Sequence, residues 1–249
     1  MNASDELARA QDILKRLDEH LRRAIWYAEL LKRSTFEKDV NDAFGESYES
    51  WGAIYIRQAL QEALIAALMR ILHGDWKGKD TASLDVLNNI LKKDGFISHL
   101  KETGQQNVAS HVSVDNIAFP NDGNLSEDDK KNIADSIERS KVEGFLERFD
   151  ETHQALSEDL SKIKGDAERA AVKDYRDSQV AHIALLRNTK SKKNPKLKYN
   201  QILNLLEKTV AVIEKANLLI TQTHMNYADS KKHAEKCADL FWRRVAHLQ

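Results

Sequence analysis

Residues 53–72, AIYIRQALQEALIAALMRIL, decide how the rest of the chain is read. Their apolar side chains fall on more than one face of a 3.6-residue period. A helix that is apolar nearly all round must be surrounded by protein. The spacing therefore predicts a central helix from about Tyr48 to His73, with Gly74 placed to cap its C-terminus. Upstream, Leu7, Leu14, Leu17, Leu21, Ile25 and Leu31 recur near helical spacing behind Ser4, a candidate N-cap, and predict a first helix of about 29 residues. Residues 41–47 (NDAFGES) read as a break between the two.

Downstream, residues 75–81 (DWKGKDT) read as a turn, and Ser83 caps a short amphipathic helix, SLDVLNNILKK, stopped by Asp94-Gly95. A further helical turn is expected over Phe96–Leu100. From Gly104 to Leu125 the periodicity disappears, and Val108, Val112, Val114, Ile117 and Phe119 are expected to pin a long loop to the bundle. Loops of that length are uncommon and suggest a lid, a binding loop or a mobile segment. Ser126 followed by Glu127-Asp128-Asp129 is a strong helix start, because acids complement the positive N-terminal end of the dipole. The helix is expected to run to roughly Arg187, with interruptions near Gly144 and Gly165. Residues 189–198 (TKSKKNPKLK) read as a basic loop. A last helix from about Asn200 carries Ile202, Leu205, Leu206, Val210, Ile213 and Leu218. It continues, or bends near residues 225–230, into a segment with Phe241 and Trp242.

Composition agrees with this all-α reading. The 249 residues include two prolines and nine glycines, too few for a turn-rich β protein. The expectation is one domain over residues 1–249, an elongated helical bundle with extra helices and one long loop. The 38 Lys and Arg nearly balance the 39 Asp and Glu, so no global charge draws the chain to nucleic acid or membrane, and any basic surface is local. Cys237 is the single cysteine and cannot form an intrachain disulfide. The first residues carry no apolar signal-like core, and the most apolar stretch, residues 63–69, is too short to span a bilayer. A cytoplasmic protein without a membrane partner is expected.

Residues 174–188, DYRDSQVAHIALLRN, place Arg176, Asp177 and His182 at the edge of an apolar helix. On a regular α-helix, six positions correspond to a rise of roughly 9 Å and a rotation of about 120°. Arg176, Gln179 and His182 then form a slanted i, i+3, i+6 row, along which an arginine can reach towards the histidine. Such a pair suits metal-independent RNA cleavage. Imidazole exchanges protons with the 2′-hydroxyl or the leaving oxygen near neutral pH. Guanidinium binds the scissile phosphate bidentately and stabilises the negative charge that builds up on it. Asp177 or Gln179 would orient either partner, and two copies from a symmetric dimer would make a fuller site. The bland alternative is a surface salt bridge and a hydrogen-bonded core histidine.

YRDSQVAHI resembles the signature of the HEPN superfamily, an Arg and a polar residue followed, after four to six intervening positions, by His. The upstream stretch ALMRILHGDWKGKDTASLDVLNNIL is similar to the branch related to the phage abortive-infection protein AbiU. There an apolar helix ends in an Arg-Leu-Trp-Asp-like turn before a Ser-Leu-opened helix. The resemblance covers roughly Tyr48 to Leu219. It implies a helical bundle that dimerises with its motif helices facing each other, and metal-independent ribonuclease activity in toxin or antiviral defence. It also implies a cognate antitoxin or another defence-system protein as a partner. By position, Arg176 is the phosphate-binding arginine, Asp177 the polar residue after it and His182 the catalytic histidine. Arg70 falls where the other segment has its arginine. Some HEPN toxins carry a tyrosine two residues after the histidine that a partner nucleotidyltransferase modifies; Ala184 stands there in this chain.

Arg187, Lys190, Lys192, Lys193, Lys196 and Lys198 follow one another with no acid between them. Lys190, Lys192 and Lys193 are the candidate RNA-binding residues of this loop, acting through counterion release; a merely solvated loop is the alternative. Trp26, Trp51, Trp76 and Trp242 are expected as core or interface anchors. Asp150 and His153 make one acid-x-x-His pair where a di-metal bundle needs two, so no metal and no other cofactor is expected. The leading expectation is a HEPN-type endoribonuclease acting as a toxin or antiphage effector. Its alternative is a non-catalytic helical module that binds RNA or a protein partner.

Overall fold

The computed structural model describes residues 2–44, 48–73, 82–112, 117, 125–180 and 197–247. Nine α-helices and one π-helical turn make up the described residues, and none of these forms a strand. The protein is an all-α bundle. Helix α1 (Ala3–Phe36) is its spine, packed against α3 (Tyr48–Leu72), α8 (Tyr199–Thr221) and α9 (Ala228–Val245). Its cap is Asn2 rather than Ser4. The Asn2 side chain accepts from the Asp5 amide at 2.8 Å, and the Asp5 carboxylate accepts from the Asn2 amide, closing a capping box two residues earlier than expected.

The core joins Leu14, Leu17, Leu21 and Ile25 of α1 to Leu64, Ile65, Leu68, Ile71 and Leu72 of α3 and Leu205, Val212, Ile213 and Leu219 of α8. Only the second half of α3 is sealed. In its first half Trp51, Ile54, Tyr55 and Ile56 are 61, 48, 65 and 37 % exposed. A smaller cluster closes the end of α1. There Trp242 of α9, fully buried, meets Val40, Phe44 and Ala53, and its indole N–H donates to the Leu30 carbonyl at 2.8 Å. Trp26 is partly buried edge-on to His233, Trp51 is exposed, and Trp76 lies outside the described residues.

Several expected loops are helix. Lys38–Phe44 forms α2, so residues 41–44 of the expected break are helical; residues 45–47 lie outside the described residues. Arg33 holds α2 with a two-point contact to Asp39 at 2.9 and 2.8 Å, while Val40 and Phe44 bury on Trp242. Helix α4 (Leu84–Leu91) is capped by Ser83 as expected. Helix α5 (Phe96–Ser110) then runs through most of what reads as the start of the long loop. Of the rest of that loop, residues 113–116 and 118–124 lie outside the described set. Helix α6 (Glu127–Lys164) opens on the Ser126–Asp129 capping box and passes Gly144 without interruption. It stops at Gly165, and α7 (Ala167–Tyr175) begins after it.

Gly104 is the residue that misdirects the reading of α5. A glycine inside a helix costs about 1 kcal/mol relative to alanine, but here nothing larger fits. A Cβ on Gly104 would lie 2.1 Å from Cζ of Phe145 on α6. Close approach of α5 to α6, reinforced by Lys101 on Asp150 at 2.7 Å, offsets the poor propensity. Gly104→Ala should therefore destabilise the protein by about 1–3 kcal/mol, as overpacking does, although alanine is the better helix former. Urea melts of the two proteins check it; a stabilised alanine variant would show that Phe145 swings clear at no cost.

Candidate functional site

Helix α7 brings the first half of the motif into place. Its N-cap, Asp166, accepts from the Glu168 amide at 2.7 Å. Lys208 of α8 bridges the carboxylates of Asp166 and Glu168 at 2.6 and 2.8 Å. Burial raises the Asp166 pKa, but Lys208 and the amides of Glu168 and Arg169 outweigh it, and the carboxyl sits below its usual range. One turn further on, Val172 is fully buried, and Tyr175 packs on the core.

At Arg176 the helix changes character. Residues Arg176–Val180 form a π turn packed against α3. The i→i+5 bonding of such a turn widens the helix, and isolated π turns concentrate at functional sites. The regular i, i+3, i+6 row expected for Arg176, Gln179 and His182 therefore does not apply, because its first part is not α-helical. Arg176 is mostly buried, with its side chain 21 % exposed. Its Nε donates to Asp177 Oδ1 at 2.8 Å, and its Nη2 lies 2.6 Å from the same oxygen. Asp177 is half-exposed, so the pair stands at the boundary of core and solvent. His182, the side chain of Gln179, and Lys190, Lys192 and Lys193 lie outside the described residues.

A second polar cluster lies on the same helix. Arg169, only 6 % exposed, donates through Nη2 to the Leu72 carbonyl at 3.1 Å and to Asp85 Oδ2 at 2.8 Å. Its Nε donates to His73 Nε2 at 3.2 Å, its Nη2 lies 3.0 Å from His73 Nδ1, and His73 Nδ1 is 3.6 Å from Asp85 Oδ2. The sequence gives Arg169 no role, and His73 enters only as the expected end of the central helix. The one available signal was the position of His73 and Asp85 inside the stretch that carries the second resemblance.

Arg70, one turn before His73, is exposed. Burial first, then the charges of Arg70 and Arg23, hold the His20 imidazole below its ordinary range. Asp150 of the acid-x-x-His pair binds Lys101, and among the described residues no three His, Cys, Asp or Glu side chains converge as metal ligands. No helix among the described residues is long and apolar enough to cross a membrane.

No curated protein and no solved structure gives a match. The family model of AbiU2, a HEPN family, matches residues 7–240, a span from the first turns of α1 into α9 that holds the α3–α4 junction and the Arg176 motif alike. With nearly its whole length inside that match, and with the helical bundle that the family implies, the chain belongs to the HEPN AbiU2 family.

Proposed function

We propose that the protein is a metal-independent endoribonuclease acting as a toxin or abortive-infection effector, with a site built on Arg176 and His182. The observation that carries this reading is the setting of Arg176, a guanidinium on a π turn at the edge of the core, beside a half-exposed carboxylate. Asp177 accepts from its Nε, and a phosphate would meet the planar fork as the present partners of Arg176 are displaced or shared. Arg176 then binds the scissile phosphate and stabilises its added charge. His182 removes the 2′-hydroxyl proton or protonates the leaving oxygen. Membership of a HEPN family, often ribonucleases, supports the same reading.

The working unit in this proposal is a homodimer. The π turn packs on α3, and the first half of α3 presents Trp51, Ile54, Tyr55 and Ile56 to solvent. A symmetric pair joined through that face would bring two motif helices to one cleft. A cognate antitoxin or another defence-system protein is the further partner proposed, and the cytoplasm its location. Purified protein incubated with total RNA in EDTA, beside His182→Ala, tests the activity. Cleavage by wild type alone is expected; intact RNA in both tubes favours a non-catalytic HEPN module that binds RNA or a protein partner.

The basic run after the motif is proposed to steer the substrate. Replacing Lys190, Lys192 and Lys193 with glutamine removes up to three phosphate contacts. The slope of log affinity against log salt for single-stranded RNA should then flatten by roughly 2, with the saturated rate little changed. An unchanged slope would mean that these lysines only solvate the chain.

A further inference from the structure

Arg169 joins the two stretches of sequence that resemble the family, and it does so inside the core. Its guanidinium reaches the last turn of α3 through the Leu72 carbonyl, His73 just beyond that helix, and the first turn of α4 through Asp85. Each contact has a physical reason. The Leu72 carbonyl is among the helix-end acceptors that no amide of α3 can satisfy. Asp85 sits in the first turn of α4, where a carboxylate is favoured. Only a planar guanidinium can serve both while lying against the imidazole. Arg169 is seven residues before Arg176, close to two full turns, so the two arginines leave α7 on the same side, about 10 Å apart along the axis. Between them Val172 is fully buried.

We infer that Arg169, with His73 and Asp85, is the positioning cluster of the nuclease site: it fixes the angle of α7 on α3 and α4, and through α7 the place of Arg176. Arg169 touches no substrate here. Its effect passes along one rigid helical segment to the π turn, where the packed α7 gives way to the turn that carries Arg176. This inference rests on the nuclease reading for its functional half and on geometry alone for its structural half.

The test uses the full chain with Arg169→Lys, Asp85→Asn and, as a control for general loss of stability, Gly104→Ala. Lysine keeps the charge and loses the fork; asparagine keeps an acceptor and loses the charge. Amide hydrogen exchange over residues 167–180 should accelerate at least tenfold in both cluster variants, with exchange in the core of α8 unchanged. Gly104→Ala should leave residues 167–180 as they are. In cleavage assays, kcat should fall at least tenfold in the cluster variants while KM for RNA stays within about twofold. Wild-type exchange over residues 167–180 in both cluster variants would overturn the clamp. Faster exchange with unchanged kcat would overturn the positioning role. If Arg169→Lys does not fold, Asp85→Asn decides both points, since Asp85 is partly exposed and asparagine keeps an acceptor for the buried Arg169. If wild type cuts no RNA, the nuclease reading fails, and the exchange measurement alone decides whether the cluster holds the turn.

Discussion

Arg176→Ala and His182→Ala should each lower the single-turnover rate of RNA cleavage by about 10²- to 10⁴-fold, the span expected when a proton-transfer group or a preorganised phosphate ligand is removed. Circular dichroism and melting should show the fold kept, because Arg176 stands at the solvent boundary beside its half-exposed neighbour Asp177. Arg176→Lys should not restore the rate. A lysine supplies charge without the planar fork that meets two phosphate oxygens. Asp177→Asn should cost less than Arg176→Ala, since it removes a partner of the guanidinium and not the guanidinium. The double variant, Arg176→Ala with His182→Ala, should be little slower than either single one, as residues that act as a unit are non-additive. All of these rates should be the same in EDTA. Equal cleavage by wild type and the folded double variant would place the chemistry elsewhere or in a contaminant.

Local chemistry made much of the fold legible. The helix starts at Ser83 and Ser126, the stop at Gly165 and the ends of α3 all lie at or close to where capping residues and apolar period put them. What the sequence hid is what depends on distant partners. Gly104 reads as a breaker until Phe145, far along the chain, is seen to occupy the space of its missing side chain. Residues 41–44, the end of α2, read as part of a break because Trp242, on which Phe44 packs, is some two hundred residues away. Both halves of α3 are apolar, yet Leu64, Ile65, Leu68, Ile71 and Leu72 are core while Trp51, Ile54, Tyr55 and Ile56 are largely surface. Periodicity reports which side chains avoid water, not whether the protein that covers them belongs to the same chain. At the site the asymmetry is sharper. A linear motif offers Arg176 and Asp177 as candidates. Arg169 was missed because its partners lie 84 to 97 residues away and no pattern links them.

The exposed half of α3 makes the second large prediction. Trp51, Ile54, Tyr55 and Ile56 together expose on the order of 400 Å² of side chain, judged from the 150–250 Å² that each aromatic can bury. Trp51, Ile54 and Tyr55 share one helix face at i, i+3 and i+4, and an apolar patch of about 300–600 Å² is often functional. A standard interface buries about 800 Å² per partner, so the patch would supply its apolar centre, with Gln58 and Glu62 of the same helix at the polar rim. Tryptophan and tyrosine at such a centre are the residue types that carry most binding energy, commonly 2 kcal/mol or more each. Symmetry uses every one of them twice. Trp51→Glu with Tyr55→Glu should therefore weaken the dimer by at least about 4 kcal/mol, roughly a thousandfold in Kd. The monomer should fold normally, because both side chains are already in solvent. Sedimentation of wild type should give about twice the 28.4 kDa chain mass, and the double variant the chain mass itself. RNA cleavage should disappear with the dimer, even though Arg176 and His182 are intact, because one motif helix offers half of the paired site. Mixing the double variant with His182→Ala should not recover activity, since the charged face pairs with neither copy. A wild-type monomer that cleaves RNA at high micromolar concentration would remove the composite site and leave each chain to work alone.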